Sequence, residues 1–127
     1  MAVQDSMSVS AFITSGRLRP IANLAAERSK LFPELPTLRE AGAGFKDFDV
    51  YTWLGLYAPA GTPAPVLTQL NSEINKIMNS PEMVERLRLQ YSEPLGAMDL
   101  AQTRGFVAGE VAKWKRVVTE TGVRSEE

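Results

Sequence analysis

Residues 47–63, DFDVYTWLGLYAPAGTP, constrain the fold more than any other stretch of the chain. Phe48, Val50, Thr52, Leu54 and Leu56 fall at every second position, the period of a half-buried strand. Tyr51, Trp53 and Tyr57 share the opposite face with Gly55, so that face is not ordinary solvent surface. β-Branched and aromatic residues suit a pleated surface, and Pro59, lacking an N–H, ends any ladder. Ala60-Gly61 then turns the chain. Thr62-Pro63 opens a helix with a capping hydroxyl and a residue preset for the first helical position. A strand, a tight Pro/Gly turn and a helix make one α/β unit, and the chain is expected to be α/β around it.

What the chain lacks narrows the chemistry. In 127 residues there is no cysteine and no histidine. That excludes disulfides, thiolate nucleophiles, Cys/His metal sites and a histidine general base. Fourteen basic against fifteen acidic residues give a net charge of −1, so no global field attracts nucleic acid. No apolar run reaches the roughly 18 residues of a membrane span. No charged region followed by an apolar core opens the 127 residues, so no secretory signal is read in them. Neither a metal nor a cofactor is expected.

Helix signals punctuate the rest. Val9, Phe12 and Ile13 suggest a short helix closed by Gly16. Residues 17–25 read as an edge strand carrying Pro20. Thr37 caps a short helix over 38–41 with Glu40 completing a capping box, and Gly42 stops it. From Pro63 to Asn79 an apolar stripe of Val66, Leu67, Leu70, Ile74, Ile77 and Met78 predicts an amphipathic helix with Asn75 outside. Ser80-Pro81-Glu82 starts another, with Met83, Val84 and Leu87 inward and its end before Ser92-Glu93-Pro94. Asp99 and Gln102 form a capping box for a long helix to Thr121, stopped by Gly122. Its stripe is read as Phe106, Val107, Val111, Trp114 and Val118, with Lys113 on the wet face. Gly105 and Gly109 suggest close packing against another element.

Read as chemistry, most polar residues have a plain alternative. The serines lack a histidine partner, and capping accounts for them. Asp47 and Asp49 stand about 7 Å apart on one strand face, and solvated charges suffice there. The basic residues are not interleaved with aromatic platforms, so they read as solvated faces. Trp53 beside Gly55 either lines a ligand cleft or packs in a core, and the residues alone do not choose. Asp5-Ser6 is either a simple helix cap or a polar loop that meets a ligand.

The run WLGLYAPAGTP over 53–63, followed by LNSEI over 70–74, resembles the substrate-binding receptors of tripartite tricarboxylate transporters, the Bug family. So do SGRLR over 15–19, LPTLREAG over 35–42, Glu110 with Trp114, and the closing Thr121-Gly122-Val123. Two departures stand out: the link 43–49 lacks the usual P-G-F-E, and Tyr91 stands where the family usually has glycine. The resemblance implies a partial type II periplasmic-binding-protein fold, the C-terminal portion of a two-lobed receptor. Residues 1–46 would end the second lobe, and 47–127 would supply the crossover strand and the C-terminal helices of the first. It implies capture of a small carboxylate in the periplasm and delivery to membrane permease subunits, with no enzyme activity. Asp5 and Ser6 would face the carboxylate in a loop before a helix, and Thr52 and Trp53 would stand near the cleft. The alternative is a stand-alone α/β interaction module. In either case an uncovered strand edge and apolar stripes predict a homo-oligomer rather than a compact monomer, with exchange of residues 43–63 as a route.

Overall fold

The computed structural model describes residues 2–123. Among the described residues there are four α-helices: α1 (Ser6–Thr14), α2 (Ala64–Met78), α3 (Pro81–Leu89) and α4 (Leu100–Thr121). Two 3₁₀ turns, Leu38–Ala41 and Ala43–Phe45, lie between α1 and α2. The chain divides into two compact units. One holds the residues up to Tyr57 together with Ser80–Leu95; the other holds Ala58–Asn79 and the chain from Gly96 onward.

In the first unit α1 is started by Asp5, whose carboxylate accepts the Ser8 N–H at 2.8 Å. It is stopped by Gly16 at φ 71°, where the Arg17 N–H bonds back to the Phe12 carbonyl. The expected strand over 17–25 reduces to a single parallel bridge between Asn23 and Thr37. Around it the Asn23 N–H donates to Pro36 O and the Leu38 N–H to Asn23 O, each at 2.8 Å. Thr37 is buried, and the Glu40 carboxylate returns to accept its N–H at 3.0 Å. The same carboxylate takes a two-pronged bond from Arg28, whose third nitrogen donates to Pro33 O at 2.9 Å. One fork thus ties the 28–36 loop to the 3₁₀ turn.

Residues 48–57 form neither helix nor strand ladder among the described residues. The Val50 N–H reaches Leu24 O at 3.0 Å, and Arg39 Nε donates to Phe48 O at 2.7 Å. Burial does not follow the two-residue period: Phe48, Asp49, Val50, Tyr51 and Trp53 are half-buried, whereas Leu54, Leu56 and Tyr57 are 85%, 80% and 74% exposed. A strand is held by inter-strand hydrogen bonds, and among the described residues no neighbouring strand supplies them. Periodicity states which face wants cover; it does not provide the partner.

In the second unit α2 begins one residue later than its expected start. Pro63 occupies the cap, while the Thr62 hydroxyl donates to Pro59 O at 2.8 Å instead of capping. Leu67, Ile74 and Met78 are half-buried as expected, whereas Val66, Leu70 and Ile77 are exposed. Asn75, expected outside, turns inward. Its side-chain amide donates to Met98 O at 2.8 Å and accepts the Met98 N–H at 3.2 Å, and Asn71 adds a second donor at 3.1 Å. Two asparagines one turn apart therefore hold the connection that leads into α4.

The α4 caps are those the sequence predicts: Asp99 and Gln102 bond reciprocally, and Gly122 is left-handed at φ 66°. Its buried face is different. Leu100, Thr103, Phe106, Val107, Glu110, Lys113 and Val117 turn inward, while Val111, at 62% exposed, lies outside with Trp114 and Val118. Glu110 is only 9% exposed and is paired with Lys113. The helix is apolar on two sides, and packing on α2 covers only one of them. Gly105 and Gly109 have open space where a Cβ would stand, so the expected close packing at them is absent. Among the described residues no apolar side chain is fully buried, and no helix is long and apolar enough to cross a membrane.

Candidate functional site

The polar groups at the head of α1 exist because a helix start leaves N–H groups unpaired. Asp5 fills that role with both oxygens: one accepts the Ser8 N–H at 2.8 Å, the other the Ser8 hydroxyl at 2.5 Å. These bonds, the side-chain one first and the backbone one second, hold the Asp5 carboxyl below its ordinary value, so it is ionised at neutral pH. The positive end of the helix is thus already met by an anion of the chain itself. A ligand group meeting Asp5 must be a hydrogen-bond donor: a water, a hydroxyl or an ammonium.

Ser6 is half-buried, and its hydroxyl donates to the Tyr91 carbonyl at 2.7 Å. A hydroxyl has one proton, so Ser6 in this arrangement meets a ligand only as an acceptor. The hydrogen bonds of Asp5 and Ser6 run to Ser8 and Tyr91 and do not reach the 47–57 segment.

Thr52 is exposed and Trp53 half-buried. Gly55 explains how the rings sit: a Cβ there would stand 3.3 Å from Trp53 Cζ3 and 3.3 Å from Tyr57 Cε2. The missing side chain lets both rings approach the Gly55 backbone closely, and a Cβ there would make them give by a few tenths of an ångström. A half-buried indole is suited to apolar contact with a ligand's methylene groups. Asp5, Ser6, Thr52 and Trp53 all belong to the first unit.

One residue of this neighbourhood was not singled out as a site residue from the sequence. The Tyr91 carbonyl accepts the Ser6 hydroxyl, the Tyr91 hydroxyl lies 3.0 Å from Thr14 Oγ1, and its ring stacks on Phe32 at 5.3 Å. The available signal was its place at a helix end where the resemblance has glycine.

Comparison with known proteins now gives the arrangement a context. The profile of the tripartite tricarboxylate transporter family receptor matches residues 1–123. Protein BugT of Bordetella pertussis is 37% identical over 122 residues, covering 96% of this chain and 36% of that protein. A UPF0065 protein from the tcbD-tcbE intergenic region of Pseudomonas sp. strain P51 is 35% identical over 108 residues, covering 85% of this chain and 32% of that protein. Among solved structures, "R. palustris Rpa4515 with adipate" superposes with a TM-score of 0.76 at 28% identity, over 91% of this chain and 38% of that one. The chain therefore spans about a third of the length of the relatives it matches. The likeness makes the chain part of a two-lobed periplasmic-binding-protein fold of the α/β class. The family is one of solute-binding receptors of the periplasm and not a class of enzymes. The chain belongs to the tripartite tricarboxylate transporter receptor family.

Proposed function

We propose that this chain forms part of a periplasmic receptor that captures a small carboxylate and presents it to the membrane permease subunits of a tripartite transporter. The observation that carries the reading is the match along residues 1–123, supported by a structural neighbour described with adipate. Residues 1–46 are assigned to the end of the second lobe, and 47–127 to the crossover strand and the C-terminal helices of the first. Asp5 and Ser6, both acceptors in this arrangement, meet the carboxylate through bridging water, and Thr52 and Trp53 line the apolar side. No covalent chemistry and no cofactor enter this mechanism. Capture is binding followed by closure of one lobe on the other.

Affinity in such a receptor comes from enclosure, because a ligand held on one side keeps its hydration. The 127-residue chain alone is therefore expected to bind adipate only in the millimolar range. Amide NMR titration of the labelled chain tests this, with saturable shifts expected at Asp5, Ser6, Thr52 and Trp53. Shifts confined to other residues would reject the site. A one-to-one micromolar complex by calorimetry would reject the need for a second wall. The second reading, a self-associating module, draws on the exposure of Leu54, Leu56 and Tyr57; it predicts a concentration-dependent mass with no carboxylate response.

A further inference from the structure

Tyr91 is the one non-glycine residue at positive φ among the described residues, at 54°. Its place explains the geometry. The Ser92 N–H bonds to Leu87 O at 2.9 Å and the Tyr91 N–H to Arg88 O at 3.0 Å, so α3 ends in a Schellman motif. The residue at that point of the motif must be left-handed, which glycine adopts freely and a Cβ-bearing aromatic does not. A tyrosine held there carries local strain, and its side chain makes contacts that a glycine could not.

Residue 91 meets α1 at both ends, by its backbone carbonyl at the first turn and by its side chain at the last. The Ser6 hydroxyl, in the first turn, donates to the Tyr91 carbonyl at 2.7 Å. Thr14, in the last turn, meets the Tyr91 hydroxyl at 3.0 Å. The ring between them stacks on Phe32 with planes 6° apart, so it cannot swing without losing that face. Val9 and Ile13 of α1 are only half-buried and no residue of the helix is buried, so apolar packing holds this nine-residue helix weakly. Polar anchoring through one residue takes over that task.

We infer that Tyr91 is a positioning residue: it docks α1 on the end of α3 and thereby sets where the Asp5–Ser6 turn stands. The consequence for ligand capture rests on the reading of Asp5 and Ser6 as ligand-facing; the docking itself does not.

The test compares the labelled parent chain with Tyr91→Gly and Tyr91→Phe by amide hydrogen exchange and by titration with millimolar adipate. Glycine removes the strain together with the ring and hydroxyl. The expected result is exchange about fivefold or more faster in α1, with α4 exchange unchanged. Unchanged α1 exchange in Tyr91→Gly would overturn the inference. Should Tyr91→Gly also speed α4 exchange, Tyr91→Phe decides: it keeps the ring and loses only the Thr14 contact. Faster exchange confined to the last turn of α1 then supports docking, and no change overturns it. Glycine keeps the carbonyl that Ser6 meets, so with adipate the shifts at Asp5 and Ser6 seen in the parent should be weakened in Tyr91→Gly, through loosening of α1, while those at Thr52 and Trp53 persist. Equal shifts in both proteins would overturn positioning. No shift in the parent would instead reject the ligand-facing reading and the consequence built on it, while exchange still decides the docking.

Discussion

Glu40 shows how much one exposed carboxylate can organise. The Arg28 hydrogen bond first, and the Thr37 N–H next, pull its pKa from 4.5 down to about 2. A group whose folded value is depressed contributes stability above its unfolded value and loses it as pH falls through the folded one. The contribution is therefore complete above about pH 5 and is lost between there and about pH 2. Glu40→Gln should flatten that limb of the melting-temperature profile, measured by circular dichroism across acid pH; an unaltered limb would show that the fork is not what acid breaks. Gly55 makes a second residue-scale prediction. An added methyl at 3.3 Å from two rings must displace one of them, so Gly55→Ala should shift the Trp53 indole NMR signal and leave that of Trp114 in place. Trp53→Ala should cost less than the roughly 3–5 kcal/mol of a fully buried aromatic, because part of the indole is already open.

Among the elements, α4 separates local from tertiary causes. Its cap is local: Asp99→Ala removes the acceptor for the Gln102 N–H and should cost about 1 kcal/mol in urea denaturation. Gly109 is an interior helix residue with room for a Cβ, so Gly109→Ala should stabilise by up to about 1 kcal/mol. A loss in that variant would show a close neighbour at α4 after all. The buried Glu110–Lys113 pair runs the other way. Lys113→Ala leaves a carboxylate in a mostly covered site and should destabilise more than Lys115→Ala on the exposed face.

For the molecule as a whole, the exposed apolar surface is the feature to explain. Leu54, Leu56, Tyr57 and the Val111–Trp114–Val118 face are all open. In a protein whose relatives are about three times as long, such surface is what further polypeptide of the receptor fold would cover. Light scattering across a dilution series should show self-association of the 127-residue chain, and a monodisperse monomer with a sharp melt would reject it.

Local chemistry made much of this protein legible. The α1 stop at Gly16, the Thr37–Glu40 turn, the Ser80 start of α3 and both ends of α4 follow from side chains within a few residues of the backbone groups they satisfy. The motifs around Trp53 likewise carried the family, since they depend on residue order alone. Tertiary structure decided what depends on distant partners. Whether 47–57 forms a strand requires another strand, and which side of α4 is buried requires α2, since both sides of the helix are apolar. That Asn71 and Asn75 point inward depends on Met98, more than twenty residues away. Tyr91 joins both classes: its left-handed turn is set locally by the end of α3, and its contacts with Ser6, Thr14 and Phe32 exist only once the chain has folded back on itself.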